Sequence, residues 1–201
     1  MSRTRDKVAS RERGDTRGAL IRAAAGLLEE RGMTAVTLRA VGERAGISRQ
    51  APYRHFADKE ELLSVVAAGY FEQVGEKMAG AAGAADGSFE RLDAMTAAYV
   101  GFALENPART RLMFGPEVKG SAYPVAHEAA RAVHERFVRA VADCQEAGLL
   151  PGEDPVELAA LVYATAHGAV DLTLSGHTEK AKGLGDPLAL TRRLLAYLGA
   201  R

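Results

Sequence analysis

Between Gly46 and Phe56 the chain reads GISRQAPYRHF, a stretch with little to bury and much to hydrogen-bond. In the DNA major groove, arginine pairs with guanine and glutamine with adenine through two hydrogen bonds each, and an alanine meets a thymine methyl. Arg49, Gln50, Ala51 and Arg54 supply those groups within one short segment. Tyr53 and His55 reach phosphate oxygens, and Lys59 falls in the first turn of the next predicted helix, where its ammonium joins free N–H groups in facing an anion. Thr37, at the start of an earlier helix, offers a backbone N–H or its hydroxyl to another phosphate. The candidate chemistry is recognition of double-stranded DNA; a polar helix surface without a partner is the plainer reading of the same residues. Arg39 is divided evenly between a phosphate contact and a solvated or ion-paired arginine.

Those side chains need a scaffold, and the spacing of apolar residues predicts one made only of helices. Alternating strand-like runs are absent, and apolar residues recur at three- and four-residue steps. A first helix over Thr16–Arg31 has Asp15 as cap, a stripe of Leu20, Ala24, Leu27 and Leu28, and Gly32 as its end. Thr37 caps a short helix over Leu38–Ala45 that stops at Gly46, and Ser48 caps a third over Arg49–His55. Two short helices joined by AGIS have the shape of a helix-turn-helix, with Val41, Ala45 and Ile47 as its small core and Phe56 anchoring the exit. Pro52 falls fourth in the third helix, so at most one intrahelical bond is lost, and it disfavours helical geometry at Ala51. Asp58 and Glu61 form an acidic capping box for a long helix over Lys59–Met78. A flexible linker, GAAGAADGS at 80–88, precedes helices over Phe89–Glu105, Ala108–Phe114, Pro124–Ala147, Pro155–Leu174 and Pro187–Leu198, roughly nine in all. The predicted division is a basic arm at 1–14, disordered without DNA, a helix-turn-helix domain at 15–60 and a larger helical body at 61–201.

The chain has 201 residues and a formal net charge of zero, yet the charge is unevenly spread. Residues 1–60 hold 13 Lys+Arg against 8 Asp+Glu, and the rest hold 13 against 18. A basic end on an acidic body suits a protein that docks one end on a polyanion. Arg3, Arg5, Lys7, Arg11 and Arg13 make the arm a candidate for tracking phosphate or the minor groove. The single cysteine, Cys144, excludes an intramolecular disulfide and fits a reducing compartment, where it reads as a small buried hydrophobe. The N-terminus lacks the apolar stretch of a secretory signal, and Leu158–Val170 is too short to span a bilayer, so a cytoplasmic protein with no membrane partner is expected.

In the body, Phe71, Met95, Tyr99, Phe102, Met113, Phe114, Phe137 and Val141 lie on inner helix faces. They read either as ordinary core or as the lining of a cavity for a small apolar or aromatic ligand, with His134, His167 and Asp171 as the nearest polar groups. His167 and Asp171 are one turn apart, so a local His–Asp hydrogen bond is the simplest expectation. No metal or cofactor is expected, since His127, His134, His167 and Asp171 lack recognised ligand spacing. The helix over Pro155–Leu174 is apolar or small all round and needs cover on more than one side. Ala160, Ala164 and Gly168 at four-residue spacing, with Leu188, Leu194, Leu195 and Leu198 on the last helix, make either a seam between two copies or packing within one.

From about Thr16 to Val66 the chain resembles the tetracycline-repressor (TetR) family of bacterial transcription regulators, whose pattern TRGALIRAAAGLLEERGMTAVTLRAVGERAGISRQAPYRHFADKEELL matches from the first helix into the fourth. The likeness rests on the helix–Gly–Thr approach, the AGIS turn, the Tyr-x-His-Phe exit and the Asp-Lys-Glu start of the fourth helix. Pro52 departs from it, since many members carry leucine there. RLMFGPEV and HGAVDLTLSGH, with the pair His167-Gly168, resemble one branch of the family in the C-terminal half. The resemblance implies a homodimeric repressor whose two recognition helices enter successive major grooves of a palindromic operator, about 34–36 Å apart. It further implies a small effector in the body that shifts the spacing of the two modules, with the fourth helix as lever. An enzyme is the rival class, but the chain carries no nucleophile elbow, zincin motif, phosphate loop or dinucleotide fingerprint. A DNA-binding architectural protein without an effector is a second rival.

Overall fold

A computed structural model describes residues 2–120, 122–179 and 183–199, with side chains from Thr16 onward except that of Lys119. The described residues form ten α-helices and one short 3-10 turn: α1 Ser2–Arg31, η1 Met33–Ala35, α2 Leu38–Arg44, α3 Pro52–His55, α4 Lys59–Gly83, α5 Ser88–Glu105, α6 Pro107–Phe114, α7 Pro116–Lys119, α8 Val125–Glu146, α9 Pro155–Leu174 and α10 Pro187–Gly199. The all-helical class is as the apolar spacing predicts. No helix among the described residues is long and apolar enough to cross a membrane.

Contacts divide the chain into two compact units, one of Met1–Tyr70 with Ala108–Glu128 and one of Phe71–Pro107 with Ala129–Arg201. This division differs from the linear one at residue 60, because Ala108–Glu128 contributes α6, α7 and the first turn of α8 to the first unit. Glu29 on α1 ties that segment in: its Oε1 accepts from Arg109 Nε at 2.9 Å and from Tyr70 Oη at 3.1 Å. The stripe of Leu20, Ala24, Leu27 and Leu28 is buried as expected, joined by Val36, Val41, Phe56, Leu62 and Val66. In the second unit α9 packs against α5 and α10. Its core includes Val74, Leu92, Phe137, Val141, Leu158, Val162 and Leu195. Cys144 is buried there, and burial pushes its thiol up to about 11, consistent with a small hydrophobe.

Several boundaries differ from the sequence expectations, each for a local reason. Helix α1 begins at Ser2 and so includes the stretch expected as an unstructured arm; from Ser2 to Arg13 it holds no glycine or proline, and arginine, alanine and glutamate sustain a helix without an apolar stripe. The arm's arginine and lysine side chains lie outside the described ones. Helix α4 runs to Gly83 through the first four residues of the expected linker, because alanines around Gly80 and Gly83 offset the entropy cost of those glycines. Only residues 84–87 break the chain before α5. Helix α7 and the η1 turn have no counterpart in the prediction. The third helix is four residues long rather than seven.

Candidate nucleic-acid interface

Helix α2 begins on Thr37, whose Oγ1 accepts from the Ala40 N–H at 3.1 Å. It ends in a Schellman motif: the Gly46 N–H donates to the Glu43 carbonyl at 3.2 Å and the Ile47 N–H to the Gly42 carbonyl at 3.0 Å. That closure requires a left-handed residue, and Gly46 has φ of 67°. Arg44, in the last turn, donates from both terminal guanidinium nitrogens to Glu30 on α1, one of them at 2.7 Å. The mutual hydrogen bonds hold the Glu30 carboxyl below its ordinary value. Gly26 on α1 leaves room for this crossing, since a methyl there would lie 2.7 Å from the Arg44 guanidinium.

Helix α3 starts at Pro52, with Arg49 and Gln50 in the preceding turn. The expected Ser48 cap is not made. Instead the Ser48 carbonyl accepts from the Ala51 N–H at 3.0 Å, a three-residue bond, because Pro52 has no N–H to offer it. Ala51 itself keeps helical angles of −62° and −43°, contrary to the expected effect of the following proline, and the irregularity falls one step earlier. Pro52 is buried against α2, where a methyl on Gly42 would stand 2.9 Å from its Cγ. Phe56 closes the exit: its N–H donates to the Pro52 carbonyl at 2.9 Å, its ring is 1% exposed, and the Arg17 guanidinium lies 5.1 Å above it.

Helix α4 is capped by Asp58, whose Oδ1 accepts from the Glu61 N–H at 2.8 Å. Glu61 reaches back to the Ala57 N–H at 2.6 Å, one residue before the cap. The other Asp58 oxygen accepts from the Tyr123 hydroxyl at 2.9 Å. The Glu61 N–H and then the Tyr123 hydroxyl hold the Asp58 carboxyl below its ordinary value. Lys59, half-buried in the first turn, donates from Nζ to the Met33 carbonyl at 3.2 Å.

The sequence candidates therefore gather on one unit. Thr37, Arg49, Gln50, Tyr53 and Arg54 are exposed, and Ala51, His55 and Lys59 are half-buried. Tyr53, at 61%, is among the most exposed large side chains of the chain. A tyrosine that open leaves most of its surface to water or a partner. Arg39 is an exposed partner of Glu43 at 3.0 Å, the ion-paired of its two readings. Sequence reasoning missed Tyr123, which is distant in the chain from the Asp58 it holds and had no local signal, and Gly42, whose signal was a glycine inside a short helix.

In the second unit Phe71, Met95, Tyr99, Phe102, Phe137 and Val141 are buried, and His134 and His167 are half-buried. Met113 and Phe114 belong to the first unit. The Tyr99 hydroxyl lies 2.6 Å from His167 Nδ1, so the bond expected between His167 and Asp171 is replaced at that nitrogen by one to Tyr99. Asp171 is exposed, and a carboxylate left in water loses nothing by forgoing the bond. Burial lowers the His167 pKa, opposed by the Asp171 charge. Burial also raises the Tyr99 hydroxyl far above its ordinary value, with Tyr163 adding to it. Tyr163, not foreseen, stacks on the His167 ring at 5.8 Å and meets His134 edge-on at 6.1 Å. Its position four residues before His167 on one helix was the available signal.

Of the seam candidates, Ala160 and Ala164 are exposed and Gly168, Leu188, Leu194 and Leu198 half-buried. Leu195 is 1% exposed and packs inside the unit, so it is withdrawn from the seam: α10 turns that face toward α9. Leu161 and Tyr197, unforeseen, are 56% and 74% exposed.

Comparison with known proteins matches residues 20–66 to the family described as bacterial regulatory proteins, tetR family, and residues 92–198 to the tetracyclin repressor-like C-terminal domain. The HTH-type transcriptional repressor KstR2 of Mycobacterium tuberculosis is 39% identical over 56 residues, which is 28% of each chain. The HTH-type transcriptional regulator Rv1816 of the same species is 28% identical over 128 residues, 63% of this chain and 54% of that one. The matches thus span about half or less of these relatives' length. A solved structure of a protein of unknown function from Rhodococcus sp. RHA1 is 28% identical, with a TM-score of 0.77 over 92% of this chain and 95% of that one. With its C-terminal match alone covering more than half of the sequence, the chain belongs to the tetR family of bacterial transcriptional regulators.

Proposed function

We propose that the chain is a homodimeric transcriptional repressor that reads a palindromic operator and is released by a small apolar or aromatic effector. The observation that carries the reading is the exposed row of Arg49, Gln50, Tyr53 and Arg54, which has no packing duty. It is mounted on a turn held by Gly46 and anchored by buried Phe56. On this reading Arg49 and Gln50 contact base edges, while Tyr53, His55, Lys59 and the Thr37 turn contact phosphates. The exposed Ala160, Leu161 and Ala164 of α9 support pairing of two copies through α9 and α10, since small residues let helices approach closely. Buried Met95, Phe102 and Phe137, in the same unit as the Tyr99, Tyr163, His134 and His167 rings, support an effector that is largely apolar and ring-bearing.

The test is retention of sheared genomic DNA of the source organism by the purified protein, followed by sequencing of what is held. An enriched palindrome supports the reading. Retention of random DNA only, lost at moderate salt, or no retention at all, sinks it. With an operator in hand, Tyr53→Ala and Lys59→Ala should weaken binding to every sequence, and Lys59→Ala should lower the salt slope by about 1. Gln50→Ala should instead change which base is preferred. Equal effects of all three on operator and random DNA would refute this division of roles.

A further inference from the structure

Had α3 begun at its serine, Arg49 would stand one turn before Tyr53, and Gln50 one turn before Arg54, as two stacked pairs on one helix face. In the structure Arg49 and Gln50 instead precede the helix. Arg49 and Gln50 lie in a turn closed by the Ala51 N–H on the Ser48 carbonyl at 3.0 Å, and the helix starts only at Pro52. Two features hold that arrangement. Pro52 lacks the N–H that a continuous helix would direct to the Ser48 carbonyl, and its ring crowds that same carbonyl position. The ring is also seated on Gly42, where even a methyl group would come within 2.9 Å of Cγ and 3.4 Å of Cδ. Gly42 is in turn fixed, because its carbonyl accepts the Ile47 N–H that closes α2. The ring is rigid and its seat is backbone, so neither side can yield cheaply.

We infer that Pro52, seated on Gly42, is a specificity-determining positioning residue that sets which bases Arg49 and Gln50 reach. The inference rests on the proposed reading of DNA by this unit. Without the ring, the backbone from Ser48 onward is free to wind into α3, with Ser48 a natural cap. Arg49 and Gln50 then move from the turn onto the helix face above Tyr53 and Arg54. Phosphate contacts from Lys59 and Thr37 lie on α4 and α2 and do not depend on that change.

The experiment selects bound duplexes from a randomised pool with the full-length protein, Pro52→Ala, Gly42→Ala and the double variant, and sequences the enriched half-sites. Pro52→Ala is expected to enrich a half-site changed at one or two positions and to bind the original best site at least about tenfold more weakly. The slope of log affinity against log salt should stay within about one unit of the original. Gly42→Ala should weaken the original site when the ring is present, while the double variant should match Pro52→Ala to within about twofold, because the clash is gone. An unchanged half-site for Pro52→Ala, bound within about twofold of the original, overturns the inference and leaves DNA reading intact. A starting protein that enriches no sequence overturns both. If Pro52→Ala does not fold, Gly42→Ala decides alone: unchanged preference and affinity overturn the role of the seat.

Discussion

Replacing Tyr99 by phenylalanine removes one oxygen from the second unit and leaves the ring in place. That hydroxyl is 2.6 Å from His167 Nδ1, and the side chain is 5% exposed. Loss of a neutral hydrogen bond costs about 1 kcal/mol, and leaving the imidazole nitrogen without that partner in a half-buried site brings the total to about 2 kcal/mol. For a chain of this length each kcal/mol moves the unfolding midpoint by about 2–4 °C, so Tyr99→Phe should melt about 4–8 °C below the unmodified protein. The assay is thermal and urea unfolding followed by circular dichroism at pH 8. The cycle with His167→Ala isolates the pair: Tyr99→Phe should cost about 1 kcal/mol less in that background. A midpoint unchanged to within about 1 °C, or two strictly additive losses, would show that the bond adds nothing and that the Tyr99–His167–Tyr163 cluster is held by packing alone.

Gly46→Ala places a side chain where φ is 67° and no atom lies within 4 Å of the new methyl, so the cost is conformational alone, about 1–2 kcal/mol; a urea midpoint that does not fall would contradict it. Phe56→Ala empties a site that is 1% exposed and should cost about 3–5 kcal/mol, abolishing DNA retention at the temperature where the unmodified protein still binds; full retention there would refute the anchoring role. Because burial holds the folded His167 below the ordinary value of 6.5, the unfolded chain takes up a proton first as the pH falls. Stability should therefore be flat above that value and decline below it, and His167→Gln should lessen the decline; an identical pH profile for the two proteins would remove His167 as its source.

The helix-turn-helix was legible because its signals are local. Thr37 as cap, Gly46 as a left-handed stop, Asp58 with Glu61 at the start of α4 and the four-residue stripe of α1 each act over a few neighbouring residues, and each stands where periodicity and capping place it. Exposure of Arg49, Gln50, Tyr53 and Arg54 followed from the same pattern, since residues with no apolar duty are left to water. What local rules could not settle was decided by contacts distant in the chain. The start of α3 depends on the seat of Pro52 on Gly42, ten residues earlier and on another helix. At His167 Nδ1 the bond is to Tyr99 on α5 rather than to the neighbouring Asp171, because a buried hydroxyl is costly to leave without a bond and the exposed carboxylate has water. Segment Ala108–Glu128 joins the first unit through Glu29 and Asp58, which no spacing along the chain announces. By itself the sequence determined the longer helices, the caps at Thr37 and Asp58 and the polar row offered to a partner, because these are set by backbone geometry and by hydrophobic period. The tertiary structure alone decided where α3 begins, which groups pair and which leucines are spent in the core, because those depend on what stands across the gap.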